Sequence, residues 1–376
     1  MNTESLPMLD DQKPRIHKHI VSKMTHIAFW AITPKGACLA DTLREKIGNV
    51  TLFTSNKTDH EFHHTIKFES FRKTLNDNFH QFDGHVFFMA TGIVVRMISA
   101  LIQHKTTDPA VVVMDEQGIH CISLLSGHIG GANELTRMLA TFSGANPVIT
   151  TATDLHQLPA IDVIASENDM FIENPDHIKT INMCILQHRP FWIYDPLRLI
   201  IKHLKDCVVK NVQSIQDGLL QRDENGNPMP GIIINEKIEK CSDAILILRP
   251  PTLAVGIGCN RNTKSSEFID LFHSTMAEKR LAEGSVFQLA SIDIKSNESG
   301  MINASKALNI PLCFFDVETL NTVKTIQNPS AIVRQHIGAN SVCEAAAILA
   351  TDQGKLIVPK QKTQNVTMAV AQKFCT

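Results

Sequence analysis

The 376-residue sequence lacks most of the features that identify a chemistry at sight. No two of its nine cysteines (Cys38, Cys121, Cys184, Cys207, Cys241, Cys259, Cys313, Cys343 and Cys375) stand at CxxC spacing, and the count is odd. That excludes a zinc ribbon, an iron–sulfur cluster and a dense disulfide scaffold, and it fits thiols kept reduced in a cytoplasm. No apolar run approaches the roughly 20 residues that span a bilayer, so no membrane partner is expected. Residues 1–22 lack the apolar centre of a signal peptide and read as a disordered extension. Positive charge is not in surplus, with 36 Lys and Arg against 38 Asp and Glu, and this argues against general affinity for nucleic acid. The Walker GxxxxGK[ST], HExxH and GxSxG motifs are absent. The 17 histidines are scattered, so no metal site of the protein's own is signalled.

What is present is the text of an α/β protein. Short apolar runs alternate with helix-period segments, which predicts two mainly parallel α/β domains, 23–154 and 250–376, joined by a less regular middle region, 155–249. The best strand of the first half is Ala110–Met114 (AVVVM), followed by a turn at Asp115–Gly118 and a returning strand at Ile119–Leu125. Leu135, Met138, Leu139 and Phe142 then fall on one helical stripe. The middle region is broken by Pro159, Pro175, Pro190 and Pro196. Beyond Pro250–Pro251, strands are expected at Thr252–Gly258, Val286–Ile294 and Pro311–Phe315, with a late helix through Val342–Leu349 and a strand pair after it.

The most informative segment is SGHIGGANE, 126–134, at a strand-to-helix junction. Gly127, Gly130 and Gly131 let backbone N–H groups approach a ligand, and a helix start favours carboxylate or phosphate. His128 titrates near neutrality, Glu134 sits in the first helical turn, and Ser126 and Asn133 offer hydrogen-bonding side chains. A plain tight turn with a capped helix accounts for the same letters. Gly92 with Arg96 repeats the strand–glycine–helix design, and Lys105 adds a cation before the AVVVM strand. In the last domain GIGCNR, 256–261, begins like a dinucleotide fingerprint, but Arg261 holds the place of the third glycine. Gly258, Arg261 and Lys264 remain an anion-binding candidate. Asp293 and Lys295 stand at a strand end, where α/β proteins place their sites. Cys259 reads as a small buried hydrophobe before a reactive thiol, and Glu344 as a solvent-face residue of the late helix.

Taken together, TGIVVRMISALIQHKTTDPAVVVMDEQGIHCISLLSGHIGGANELTRMLA (91–140), GANPVITTATD (144–154), LAVGIGCNRNT (253–263), LASIDIKSNESGM (289–301), PLCFFDVETL (311–320), GANSVCEAAAILA (338–350) and LIVPKQKTQNVTMAVA (356–371) closely resemble the CbiG family of cobalamin biosynthesis, the cobalt-precorrin-5A hydrolases. The last domain also looks like the small CobE protein. The resemblance implies a hydrolase acting on a carbon–carbon bond in the anaerobic pathway. It opens the ring A δ-lactone of cobalt-precorrin-5A with water, releases the meso carbon as acetaldehyde and leaves cobalt-precorrin-5B. No cofactor of the protein's own is implied, since the tetrapyrrole substrate carries the cobalt. A cytoplasmic location fits, and a homodimer and contacts with neighbouring pathway enzymes are left open. On this reading His128 is the general base or a ligand to the substrate's cobalt, Glu134 orients it or shuttles protons, and Ser126 assists. The Gly127–Gly131 amides receive an oxyanion, while Arg96, Lys105, Arg261, Lys264 and Lys295 clamp carboxylates. These corners would cradle one polyacidic ring. A non-catalytic corrinoid-binding or handover protein is the alternative.

Overall fold

The computed structural model describes residues 24–58, 62–104, 107–128, 130–151, 158–239, 244–329, 334–335 and 338–374. The extension 1–22 and Lys105 lie outside the described residues. The chain divides into two compact units, Met1–Leu158 and Pro159–Thr376.

In the first unit the order is β1 (Ile27–Ala31), α1 (Pro34–Ile47), β2 (Val50–Ser55), β3 (Thr65–Phe68), α2 (Phe71–Asn78), β4 (Gly84–Phe88), α3 (Thr91–Ile98), β5 (Ala110–Met114), β6 (His120–Leu125), α4 (Ala132–Ser143) and β7 (Asn146–Val148). They build one seven-stranded sheet, β3-β2-β1-β4-β5-β6-β7. All five residues of β1 are buried, as a strand covered on both faces requires. Ile27, Phe29 and Ala31 pack with Ala37, Ala40 and Leu43 of α1 and Leu135 and Leu139 of α4 on one face. Ala28 and Trp30 pack with Leu75 of α2 and Val94 and Ile98 of α3 on the other. Trp30 stacks on Phe53 with ring centroids 4.1 Å apart. Its Nε1 donates to His85 Nδ1 (3.0 Å), so His85 Nε2–H donates to the Phe79 carbonyl (2.9 Å) and the buried ring is neutral.

One reversal decides where the candidate residues go. Strands β1 to β5 are mutually parallel, but β6 pairs antiparallel with β5, Val111 opposite Leu125 and Met114 opposite Cys121. The turn between them is held by Asp115, whose carboxylate accepts N–H groups of Gln117, Ile119 and His120. Strand β7 runs parallel to β6, so β6–α4–β7 is a crossover unit pointing opposite to the rest of the sheet.

The second unit opens with α5 (Ile161–Glu167), β8 (Phe171–Ile172), α6 (Ile178–Leu186), β9 (Phe191–Tyr194), β10 (Val209–Asn211), β11 (Gly231–Ile234) and β12 (Ile245–Arg249). The stretch expected to be less regular therefore carries a sheet of its own, β10-β9-β11-β12-β8. Its strands, two to five residues long, are too short for periodicity to reveal. They are fixed by contacts between distant residues. Trp192 lies against Gly231 and donates to the Met229 carbonyl (3.0 Å). Arg249, 1% exposed, holds both oxygens of Glu173 and donates to the carbonyls of Asn235 and Lys237.

The same unit continues with β13 (Leu253–Cys259), α7 (Ser265–Glu278), β14 (Val286–Ile292), α8 (Ser299–Leu308), β15 (Leu312–Phe315), α9 (Cys343–Ala350), β16 (Lys355–Lys362) and β17 (Val366–Gln372). The sheet order is β15-β14-β13-β17-β16, parallel through β15, β14 and β13, with β17 antiparallel to both of its neighbours. Leu253, Val255 and Ile257 face α7 and α8 across a core of large side chains. The opposite face is built from small residues, and α9 lies on it closely. A Cβ added to Gly256 would stand 1.8 Å from the Cys343 carbonyl oxygen. That close approach is what the alanines of CEAAAILA and the glycine of β13 have in common.

Candidate functional site

The residues singled out in the sequence fall into three places. The first is the turn between β6 and α4, which collects Ser126, Gly127, His128, Gly130, Gly131, Asn133 and Glu134 at the carboxyl ends of β6 and β7. Its geometry is tight. Gly131 begins α4 in the left-handed region at φ 83°, and a Cβ on Gly130 would stand 2.3 Å from Ser126 Cβ. Ser126 itself sits at φ 57°, a conformation that costs a non-glycine residue about 1–2 kcal/mol. Its hydroxyl is buried without a hydrogen-bond partner among the described residues. Such a group costs about 1–3 kcal/mol while unmet, and a ligand oxygen in the turn would supply the missing partner.

The turn uses part of its own donor set. Gly131 N–H donates to the His128 carbonyl, Ala132 N–H to the Ser126 carbonyl and Asn133 N–H to the Gly127 carbonyl. Part of the expected array of amides from Gly127 to Gly131 is thus engaged within the turn, the Gly131 N–H included. Asn133 is also reassigned. It is 4% exposed, accepts from Ser123 Oγ (2.6 Å) and donates to Thr151 Oγ1 (2.9 Å), so it braces the turn against the segment that follows β7. Glu134 pairs with Arg137 one turn along α4.

The second place is the start of α3, with Gly92 and Arg96. Arg96 is exposed and folds back to donate to the Gly92 carbonyl (3.0 Å). Because β6 runs against β4 and β5, this start lies at the opposite end of the sheet from His128. The five residues of β5 put roughly 16 Å between the two ends. The expectation that both glycine corners of this unit line one cradle is therefore overturned.

The third place is the carboxyl end of β13 and β14, where Gly258 and Lys295 line a cavity of about 150 Å³ together with Ser341, Cys343, Lys360 and Thr367. Arg261, Lys264 and Asp293 are exposed and do not line it. The anion turn expected from Arg261 and Lys264 is not assembled. Lys295 pairs with Glu298 (3.0 Å), which also accepts the Asn262 N–H (3.2 Å). Gly256, which looked like part of a nucleotide fingerprint, serves the docking of α9. Burial pushes the Cys259 thiol up to about 11 against the pull of Lys295, so it is a protonated packing group.

Glu344 is the residue that sequence reasoning misplaced. It is fully buried, and its carboxylate accepts N–H groups of Gln327 (2.8 Å), Asn328 (2.9 Å) and Lys360 (2.9 Å) and the amide of the Asn328 side chain (2.9 Å). Burial alone would raise its pKa, but these donors outweigh it and hold the group below the usual carboxylate value. A lone acid in an otherwise apolar helix was the available signal, since such a residue is either at the surface or fully satisfied.

Among the described residues no three His, Cys, Asp or Glu side chains gather as a metal site, and no helix is long and apolar enough to cross a membrane.

The family models for the cobalamin synthesis G N-terminal, central and C-terminal regions match residues 73–154, 159–250 and 253–371. A cobalt-precorrin-5A hydrolase of Salmonella typhimurium is 32% identical over 350 residues, 93% of this chain and 98% of that protein. One from Priestia megaterium is 32% identical over 318 residues, 80% of this chain and 82% of that protein. CobE of Sinorhizobium sp. is 33% identical over 121 residues, 32% of this chain and 79% of that protein. With three consecutive family models along its length and relatives matched nearly end to end, the chain belongs to the CbiG family of cobalamin biosynthesis.

Proposed function

We propose that this chain hydrolyses cobalt-precorrin-5A, opening the ring A δ-lactone and releasing the meso carbon as acetaldehyde to give cobalt-precorrin-5B. The observation that carries this reading is the 32% identity to a hydrolase of that substrate over 93% of the chain. Cobalt enters as part of the substrate.

Lactone opening needs an activated water, donors for the developing oxyanion and a proton for the leaving oxygen. The turn after β6 supports all three roles within a few residues. His128 takes the proton from water, with Glu134 and its partner Arg137 at the same helix start. The remaining amides, those of Gly127 and Gly130, and the unmet Ser126 hydroxyl face the charge that develops on oxygen. The start of α4 adds its partial positive charge. Expulsion of acetaldehyde then draws electrons into the conjugated macrocycle.

The same reading has the enzyme working in the cytoplasm, in keeping with seven free thiols among the described cysteines. A homodimer and docking to neighbouring pathway enzymes extend it, and sedimentation with and without those enzymes measures both. The deciding experiment is anaerobic incubation of the purified chain with cobalt-precorrin-5A while acetaldehyde is trapped. One acetaldehyde per macrocycle is expected. Tight binding without acetaldehyde would make the chain a carrier.

A further inference from the structure

The cavity at the carboxyl end of β13 and β14 is not needed for lactone chemistry, yet it has the composition of an anion seat. No carboxylate lines it, while two ammonium groups, Lys295 and Lys360, do. Lys295 is already paired with Glu298, but Lys360 has no carboxylate partner among the described residues. The Lys360 ammonium is close enough to Cys343 to pull against the rise that burial imposes on that thiol. The start of α9 also borders the cavity through Ser341 and Cys343, and no side chain caps this helix, so its first N–H groups lack intrahelical partners. Ser341 is 3% exposed and lines the cavity. A serine hydroxyl on the cavity wall, an uncapped helix start and an ammonium without a carboxylate partner together form a set of donors awaiting an acceptor.

Size limits that acceptor. At about 150 Å³ the cavity is smaller than the roughly 300–1,000 Å³ of pockets that enclose drug-sized ligands, so a tetrapyrrole ring does not enter. A carboxylate on a short alkyl arm does. We propose that this cavity seats one carboxylate arm of the macrocyclic substrate, held by the Ser341 hydroxyl, the first amides of α9 and the Lys360 ammonium. The proposal rests on the functional reading above for the identity of the macrocycle. Glu344 acts as a positioning residue, because its bond from the Lys360 N–H fixes the backbone from which that ammonium extends.

The test uses the full chain and equilibrium titration with a cobalt corrinoid whose side chains are free carboxylates, with the same corrinoid fully esterified, and with propionate alone. Lys360→Met should weaken binding of the polyacid by roughly tenfold to a hundredfold, and Ser341→Ala by about tenfold. Neither should change affinity for the ester or the midpoint of urea unfolding. Variants that bind the polyacid like the parent overturn the seat, as do variants that lose acid and ester alike. Propionate that binds as tightly as the polyacid also overturns it, in favour of a small free anion. Acetaldehyde release separates the two claims. Lys360-dependent binding without acetaldehyde supports the seat and defeats the hydrolase, and acetaldehyde with Lys360-independent affinity does the reverse.

Discussion

The turn after β6 and the end of β13 look alike in sequence, since each carries closely spaced glycines where a strand leads toward a helix, but their glycines do different work. In the first, Gly130 and Gly131 shape the turn itself, bringing Ser126 and His128 to a helix start. In the second, Gly256 admits a helix from elsewhere in the chain, and the donors beside the cavity come from that helix and from β16. One turn is built locally; the other is assembled from segments about a hundred residues apart. Chemistry at the first should therefore be separable from stability, whereas at the second the packing that brings the segments together carries both.

His128→Ala breaks the local turn's chemistry. The expected result is a loss of about 10²–10⁴ in the rate of acetaldehyde release, read by the trapping assay, with an unchanged urea midpoint. Parent-like turnover would remove His128 from the mechanism. Gly256→Val should do the opposite. A side chain there meets the Cys343 carbonyl, so α9 must shift, at a cost of about 3 kcal/mol or more in urea unfolding and with loss of the carboxylate seat. Little change in stability would refute the packing account of β13.

Acid destabilises both units but in different pH windows. Burial lowers the His85 pKa from its ordinary 6.5 to about 4. Above 6.5 the ring is neutral in both states, and between 6.5 and about 4 only the unfolded chain takes the proton. The first unit should lose up to about 3 kcal/mol across that interval. Glu344 has its pKa lowered, so its contribution to the second unit is complete above the ordinary carboxylate value and is lost as pH falls through the lower one. Hydrogen exchange at β1 amides should accelerate at a higher pH than at β13 amides, and coincident onsets would contradict this. The smallest effect is expected from Arg261→Ala. Its side chain is exposed and outside the cavity, so corrinoid affinity should change less than twofold, as titration would measure.

Much of this arrangement was legible before any coordinates. AVVVM reads as a buried strand because five β-prone apolar residues leave no polar face, and the Asp115–Gly118 turn marks a return. That return already implies that β6 runs backwards and carries His128 away from Gly92, an inference that the motif text alone does not prompt. The middle sheet was hidden because its strands are short and its anchors, Trp192 on Gly231 and Arg249 on Glu173, join residues far apart in the chain. Glu344 was hidden because CEAAAILA is apolar nearly all round, so no polar stripe tells which side of the helix meets water. Satisfaction of its carboxylate depends on Gln327, Asn328 and Lys360, which no local pattern connects to it.

The last strand of the second unit, β17, is an inner strand of its sheet, between β13 and β16. During synthesis β13 therefore leaves the ribosome with one edge open, and it stays open until Val366–Gln372 follow. A message truncated by a late stop codon would yield a polypeptide with an unpaired central edge, prone to clumping or to capture by chaperones.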